Sequence, residues 1–248
     1  MRLLLRAVAI MAIAAAITGC MATEKSLMMS DMSGFDRAYV PALVLTSKRG
    51  SGGEDVMAVK KLKQEWSVVR YKQSAIFETV ADEVDSAIED ADRAVMSGRP
   101  DEANKRLLSI GKTMRHARRQ YGIDYILDYF TDFGETMERI YEIGEEGGRM
   151  ALTDAQMADL GSLSREARQK WSAAMLVKFS PAEFRMNKNT TIALQKNMQA
   201  EADIIEKLAL ASASGDTRTA RAMAREIKPA FYRAYKMFGN FNSISISQ

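Results

Sequence analysis

Cysteine and histidine are almost absent from this 248-residue chain: each occurs once, as Cys20 and His116. One cysteine cannot form an internal disulfide, and together the two residues cannot furnish the usual three or four ligands of a zinc site. A di-iron carboxylate centre needs two Glu-x-x-His pairs and is excluded with them. Proline is scarce too, with four residues, so little interrupts the long Ala-, Met-, Glu- and Arg-rich stretches, whose composition favours helix. A formal net charge of +3 gives no general pull toward nucleic acid. A phosphate-cradling loop is missing, because Gly144-Glu145-Glu146-Gly147-Gly148 carries the wrong sign for one. Beyond residue 20 no apolar run is long enough to span a bilayer.

The one long apolar run stands at the start. Arg2 and Arg6 give a basic opening, Ala7 to Ile17 carry no charge, and the run is too short for a membrane-crossing helix but suits a cleavable export signal. Its ending, Ile17-Thr18-Gly19-Cys20, resembles the lipobox of bacterial lipoproteins. That resemblance implies removal of residues 1–19, diacylglycerol on the Cys20 sulfur and an acyl chain such as palmitate on its new amine. Multiple acyl chains anchor a protein stably to a bilayer. Met21, rather than Asp, follows the cysteine, which by likeness to enteric sorting points to the outer membrane, facing the periplasm. Without Arg2 and Arg6, 33 of the 35 basic side chains remain against 32 acidic ones.

Residues 20–53 read as the lipidated N-terminus and a tether, rich in Ser and Gly, with the apolar YVPALVLT stretch (39–46) lying against the body. Residues 54–248 read as the body, divisible into halves 54–122 and 123–248. Phe77, Val80, Val84, Ala87, Ala91 and Ala94 keep helical spacing up to Ser97-Gly98. After Pro100, Ala103, Leu107, Ile110, Met114, Ala117 and Tyr121 continue in a 4-3-4-3-4 seam. So short a link makes the two helices antiparallel neighbours. A shift of 117 residues lays Ile88 on Ile205, Ser97-Gly98 on Ser214-Gly215 and Ile110 on Ile227, with nine identities over 35 gapless positions. The expected fold is therefore all-α, an antiparallel helical bundle or pair of bundles built from two related hairpins, 55–121 and 193–239.

The first hairpin, with its Ile110-Gly111-Lys112-Thr113-Met114-Arg115 run, resembles the haem-binding end of cytochrome c-prime and its soluble b-type relatives. The resemblance implies a four-helix bundle. It does not carry the cofactor over, since Met114 and Ala117 stand at the two cysteine positions and Arg118 at the histidine position. In the second copy these are Phe231, Ala234 and Tyr235. His116 lies about 200° around the helix from the family's ligand position.

Two cofactor readings stay open as alternatives: non-covalent haem held through His116, or Cu(I) held by Met28, Met29 and Met32, whose thioethers suit that ion. His116, flanked by Arg115, Arg118 and Arg119, reads better as a solvated side chain. The methionines read better as apolar filler. In the stripe Asp82, Asp85, Glu89 and Asp92, pairing across the hairpin is expected for Asp82 with Arg115, Asp85 with Lys112 and Asp92 with Lys105. The densest aromatic stretch, with Tyr121, Tyr125, Tyr129, Phe130 and Phe133, offers a partner or ligand surface, unless most of its rings are core. Taken together, the expectation is a non-enzymatic, membrane-tethered envelope protein whose bundle binds a protein partner or small ligand, with no cofactor and no metal.

Overall fold

The computed structural model describes residues 28–47, 53–71, 75–146 and 151–244, and among them are eight α-helices and no strand. These are α1 (28–46), α2 (Glu54–Arg70), α3 (Ala75–Met96), α4 (Pro100–Gln120), α5 (Ile126–Glu145), α6 (Asp154–Leu176), α7 (Lys188–Ser214) and α8 (Thr217–Tyr235). The export segment and Cys20 lie outside the described residues. Among those described, no helix is long and apolar enough to cross a membrane.

Two turns are set by the same device. Gly98 and Gly215 adopt φ of +69° and +75°, a left-handed conformation that costs a glycine little and most other residues more. The next N–H then reaches back across the turn, Arg99 to Ala94 O at 2.9 Å and Asp216 to Ala211 O at 3.0 Å. Pro100 fits the first turn of α4, and Asp216 caps α8 through Thr219 N. Chain reversal follows, with Asp90 facing Arg106 and Glu83 facing Thr113 across α3 and α4.

Helices α5 to α8 close a ring in which each packs on the next and α8 returns to α5. Helices α1 to α4 close another, with Phe35 of α1 edge-on to Trp66 of α2 and Tyr39 of α1 donating to Leu107 O of α4. The two tryptophans hold comparable places. Trp66 meets Phe35 at 5.5 Å and 70°, while Trp171 of α6 meets Phe130 of α5 at 5.1 Å and 67°. Each indole N–H donates to the third helix of its ring, Trp66 to Asp85 at 2.5 Å and Trp171 to Met198 O at 2.9 Å. Both bundles share one continuous apolar core.

Helix α1 departs from the sequence reading. A tether was expected here, with only its 39–46 stretch lying against the body; instead all of residues 28–46 are helical and packed into the core. Met32, Phe35, Val40 and Ala42 are inaccessible to solvent. Met28, Met32, Phe35, Tyr39, Ala42 and Thr46 form a 4-3-4-3-4 seam, masked in the sequence by Gly34 and Pro41. Pro41 cannot donate to Arg37 O, and the backbone N–H of Asn240 does so instead at 2.8 Å. Gly111 answers to the same helix. The Tyr39 hydroxyl lies 2.8 Å from where a Cβ would stand, so the Ile-Gly-Lys run is accounted for by close packing of α4 on α1.

The acidic stripe of α3 also pairs differently. Asp85 binds Arg70 and Trp66, while Glu89 and Asp92 bind Lys63, all on α2. Lys112 and Arg115 of α4 turn the other way, to Glu135 and Asp132 of α5. The hairpin arithmetic missed a third helix flanking α3.

Candidate functional site

Between the bundles α4 and α5 stand apart, bridged mainly by long side chains. Lys112 meets Glu135 at 3.0 Å, Arg119 meets Asp132 at 2.8 Å, and Arg115 also binds Asp132. Below these pairs the joint is sealed by a buried polar group. Arg118, 3% exposed, donates through Nε to both oxygens of Asp128 at 3.0 Å. Its guanidinium also lies 4.5 Å over the Tyr125 ring. The Tyr125 hydroxyl donates to Asp36 of α1 at 2.6 Å. Burial raises the Asp36 carboxyl to about 6, and the Arg118 charge restrains it from rising further.

Above the ion pairs the bundles part around a cleft of about 740 Å³, lined from α1, α4, α5 and α8. Its apolar floor is the edge of the core, where Tyr39, Leu43, Phe130, Met137, Phe231 and Tyr235 are all buried or nearly so. Phe231 and Tyr235 stack at 5.4 Å and 15°. Polar groups at the edge are paired: Lys228 with Glu138 at 2.7 Å, and Lys112 with Glu135. Burial works against the Lys228 ammonium, yet its hydrogen bond to Glu138 and that carboxylate's charge raise it above the ordinary lysine value. Lys112 holds Glu135 below the usual carboxylate range through its hydrogen bond. Gly134 lies in the wall, with only Phe231 near its missing side chain, at 3.9 Å. Such a volume, with an apolar lining and a few fixed charges, has the character of a small-molecule pocket.

The residues singled out from sequence are scattered relative to this cleft. Of the aromatic stretch, Tyr125, Phe130 and Phe133 are buried and serve the core, because they occupy the inward face of α5 and its entry. Tyr125 and Phe133 present no exposed face. Tyr121 and Tyr129 reach solvent, Tyr129 bonded to Asp124. Phe130 alone of the five lines the cleft. His116 is exposed on α4, 3.0 Å from the Gln120 amide, and does not face the cleft. Met32 is fully buried and Met28 nearly so, and Met28, Met29 and Met32 are packed in or on the core. Among the described residues no three His, Cys, Asp or Glu side chains converge as a metal site would require.

Reading the sequence alone missed the cleft, and also Asp36, Arg118 and Glu201 as buried ionisable groups. Glu201 had a usable signal, since it interrupts the otherwise apolar buried row of α7 between Met198 and Ile205. No family model, curated protein or solved structure matches the chain.

Proposed function

We propose that this protein is a cell-envelope lipoprotein, anchored through acylated Cys20 and facing the periplasm, whose helical body receives a small, largely apolar ligand between its bundles. Binding is its task in this reading, with no chemistry performed on the ligand. The observation that carries it is the inter-bundle cleft, with its apolar lining and salt-bridged edge. The haem and copper alternatives draw no support from where His116, Met28, Met29 and Met32 lie.

N-phenyl-1-naphthylamine, an apolar fluorophore, tests the cleft. Saturable enhancement near one probe per chain is expected, and Gly134→Phe, which fills the wall, should weaken it at least about tenfold. Circular dichroism should leave the fold of that variant unchanged. Equal binding by both proteins would sink the cleft as the site. The anchor is checked separately: Cys20→Ser should remain uncleaved by lipoprotein signal peptidase and lose fatty-acid labelling. Normal maturation and labelling of that variant would end the lipoprotein reading.

A further inference from the structure

Because successive helices run in alternating directions, the start of α1, the ends of α2, α4 and α6 and the start of α7 meet at one end of the molecule. Nine large apolar side chains are exposed among the described residues, and six of them lie at that end: Val68, Tyr71, Tyr121, Met175, Leu176 and Ile192. Of the others, Met96 and Leu210 lie at the opposite end and Leu108 at the cleft. A scatter of single exposed apolar residues is ordinary, but a bias toward one end calls for a cause.

Two observations on charge and chain length identify that cause. The link between α6 and α7, with the first residue of α7, carries Lys178, Arg185 and Lys188 against one acid, Glu183. Arg185 also lies near enough to Arg37 of α1 that its charge, after burial, holds Arg37 below the ordinary arginine value, against a smaller opposing pull from Glu65. Like charges gathered in this way favour an anionic neighbour. Cys20 precedes residue 28 by eight peptide steps, a reach of at most about 28 Å. An acyl anchor at Cys20 therefore joins the body at this end and favours its approach to the bilayer over that of the opposite end.

We propose that this end is a membrane-docking face. Leu176, Met175, Ile192 and Tyr71 enter the headgroup boundary, Lys178, Arg185 and Lys188 meet lipid phosphates, and the cleft stands in the half of the molecule turned away from the bilayer. The inference rests on the Cys20 anchor for its orientation, while the face itself is a property of the folded body.

The test uses full-length protein reconstituted into vesicles of phosphatidylethanolamine and phosphatidylglycerol at about 3:1, so that anionic headgroups are present. An environment-sensitive fluorophore is placed through Leu176→Cys or Ile192→Cys, and, for the opposite end, through Met96→Cys or Leu210→Cys. Its position is confirmed by peptide mass, and a headgroup nitroxide lipid acts as quencher. Quenching at 176 and 192 should exceed that at 96 and 210 about threefold or more. A Leu176→Glu/Ile192→Glu double variant with a label at Tyr71→Cys should lose most of that quenching at unchanged helicity. Equal quenching at both ends overturns the docking face, whether the cause is a body that hangs free or one that pairs with a second copy. Mass spectrometry of the Cys20 peptide separates the two readings: end-selective quenching without lipid on Cys20 keeps the face and removes the anchor. Lipidated protein with no end preference does the reverse.

Discussion

Arg118→Met should destabilise the protein by roughly 3–5 kcal/mol near pH 7.5, the cost expected when one partner of a buried ion pair is removed. Methionine fills most of the space of the arginine stem, so the loss is one of charge. Asp128 would keep neither of the Nε bonds it now receives, and Asp36 would lose the cation that restrains its carboxyl. Both acids lie at the joint of the two bundles, where little solvent can replace the guanidinium. Part of the deficit should return on acidification, as the Asp36 carboxylate takes up a proton. Asp36 already follows this sign in the parent protein. Its folded value of about 6 exceeds the ordinary 3.8, so its contribution is most favourable below pH 3.8 and declines as pH rises toward 6. Urea unfolding followed by circular dichroism at pH 5 and 7.5 measures both effects. A variant within about 1 kcal/mol of the parent at pH 7.5 would show that the pair holds nothing together.

Glu201→Leu carries the opposite sign and should make the protein more stable. Glu201 of α7 is fully buried, and neither carboxyl oxygen has a hydrogen-bond partner. Burial raises its carboxyl to about 9, with Arg233 pulling down and Glu226 pushing up by lesser amounts. The folded chain thus keeps a proton at pH 7 that the unfolded chain releases above 4.5. Stability from this group is greatest below pH 4.5 and falls as pH rises toward 9, at about 1.4 kcal/mol per pH unit. By pH 7 the penalty is on the order of 3 kcal/mol. Leucine, similar in size and without a charge to desolvate, should recover about 2–3 kcal/mol of it and flatten the slope between pH 5 and 9. Under the 117-residue shift, position 201 falls on Val84, which is equally buried, so an apolar side chain already serves at the corresponding place. Thermal melts across that range would refute the argument if the variant kept the parent's pH slope.

How much of this could be read from the sequence differs from element to element. Helices α3 and α4 were plain because an uninterrupted apolar seam ends at a turn glycine and restarts at a proline. The all-α class follows from the same periodicity carried along the chain. Helix α1 has an equally regular seam from Met28 to Thr46, but Gly34 and Pro41 weigh against helix locally, and only neighbours far along the chain override them. Aromatic density at 121–133 is real, yet density does not say which way a ring points. Tyr125 and Phe130 differ from Tyr121 by position on a helix face whose partners the sequence does not reveal. Nor is the cleft legible, since it arises where two bundles fail to close, and its lining comes from four helices spread between Tyr39 and Tyr235.

The carbonyl that Pro41 leaves open in α1 has a consequence for the order in which the molecule can be completed. Its hydrogen bond comes from Asn240, and Gly239 rests against the Pro41 ring. A nascent chain emerges N-terminus first, so Pro41 is made about 200 residues before Asn240. Until Asn240 arrives, the Arg37 carbonyl has only water to accept from. Local pairs such as α3 with α4 can form early, since their loop is short, whereas closing α1 requires ends separated by almost the whole body to meet. Closing α1 is thus a long-range event, in which Pro41 leaves the acceptor open and Asn240 supplies the donor.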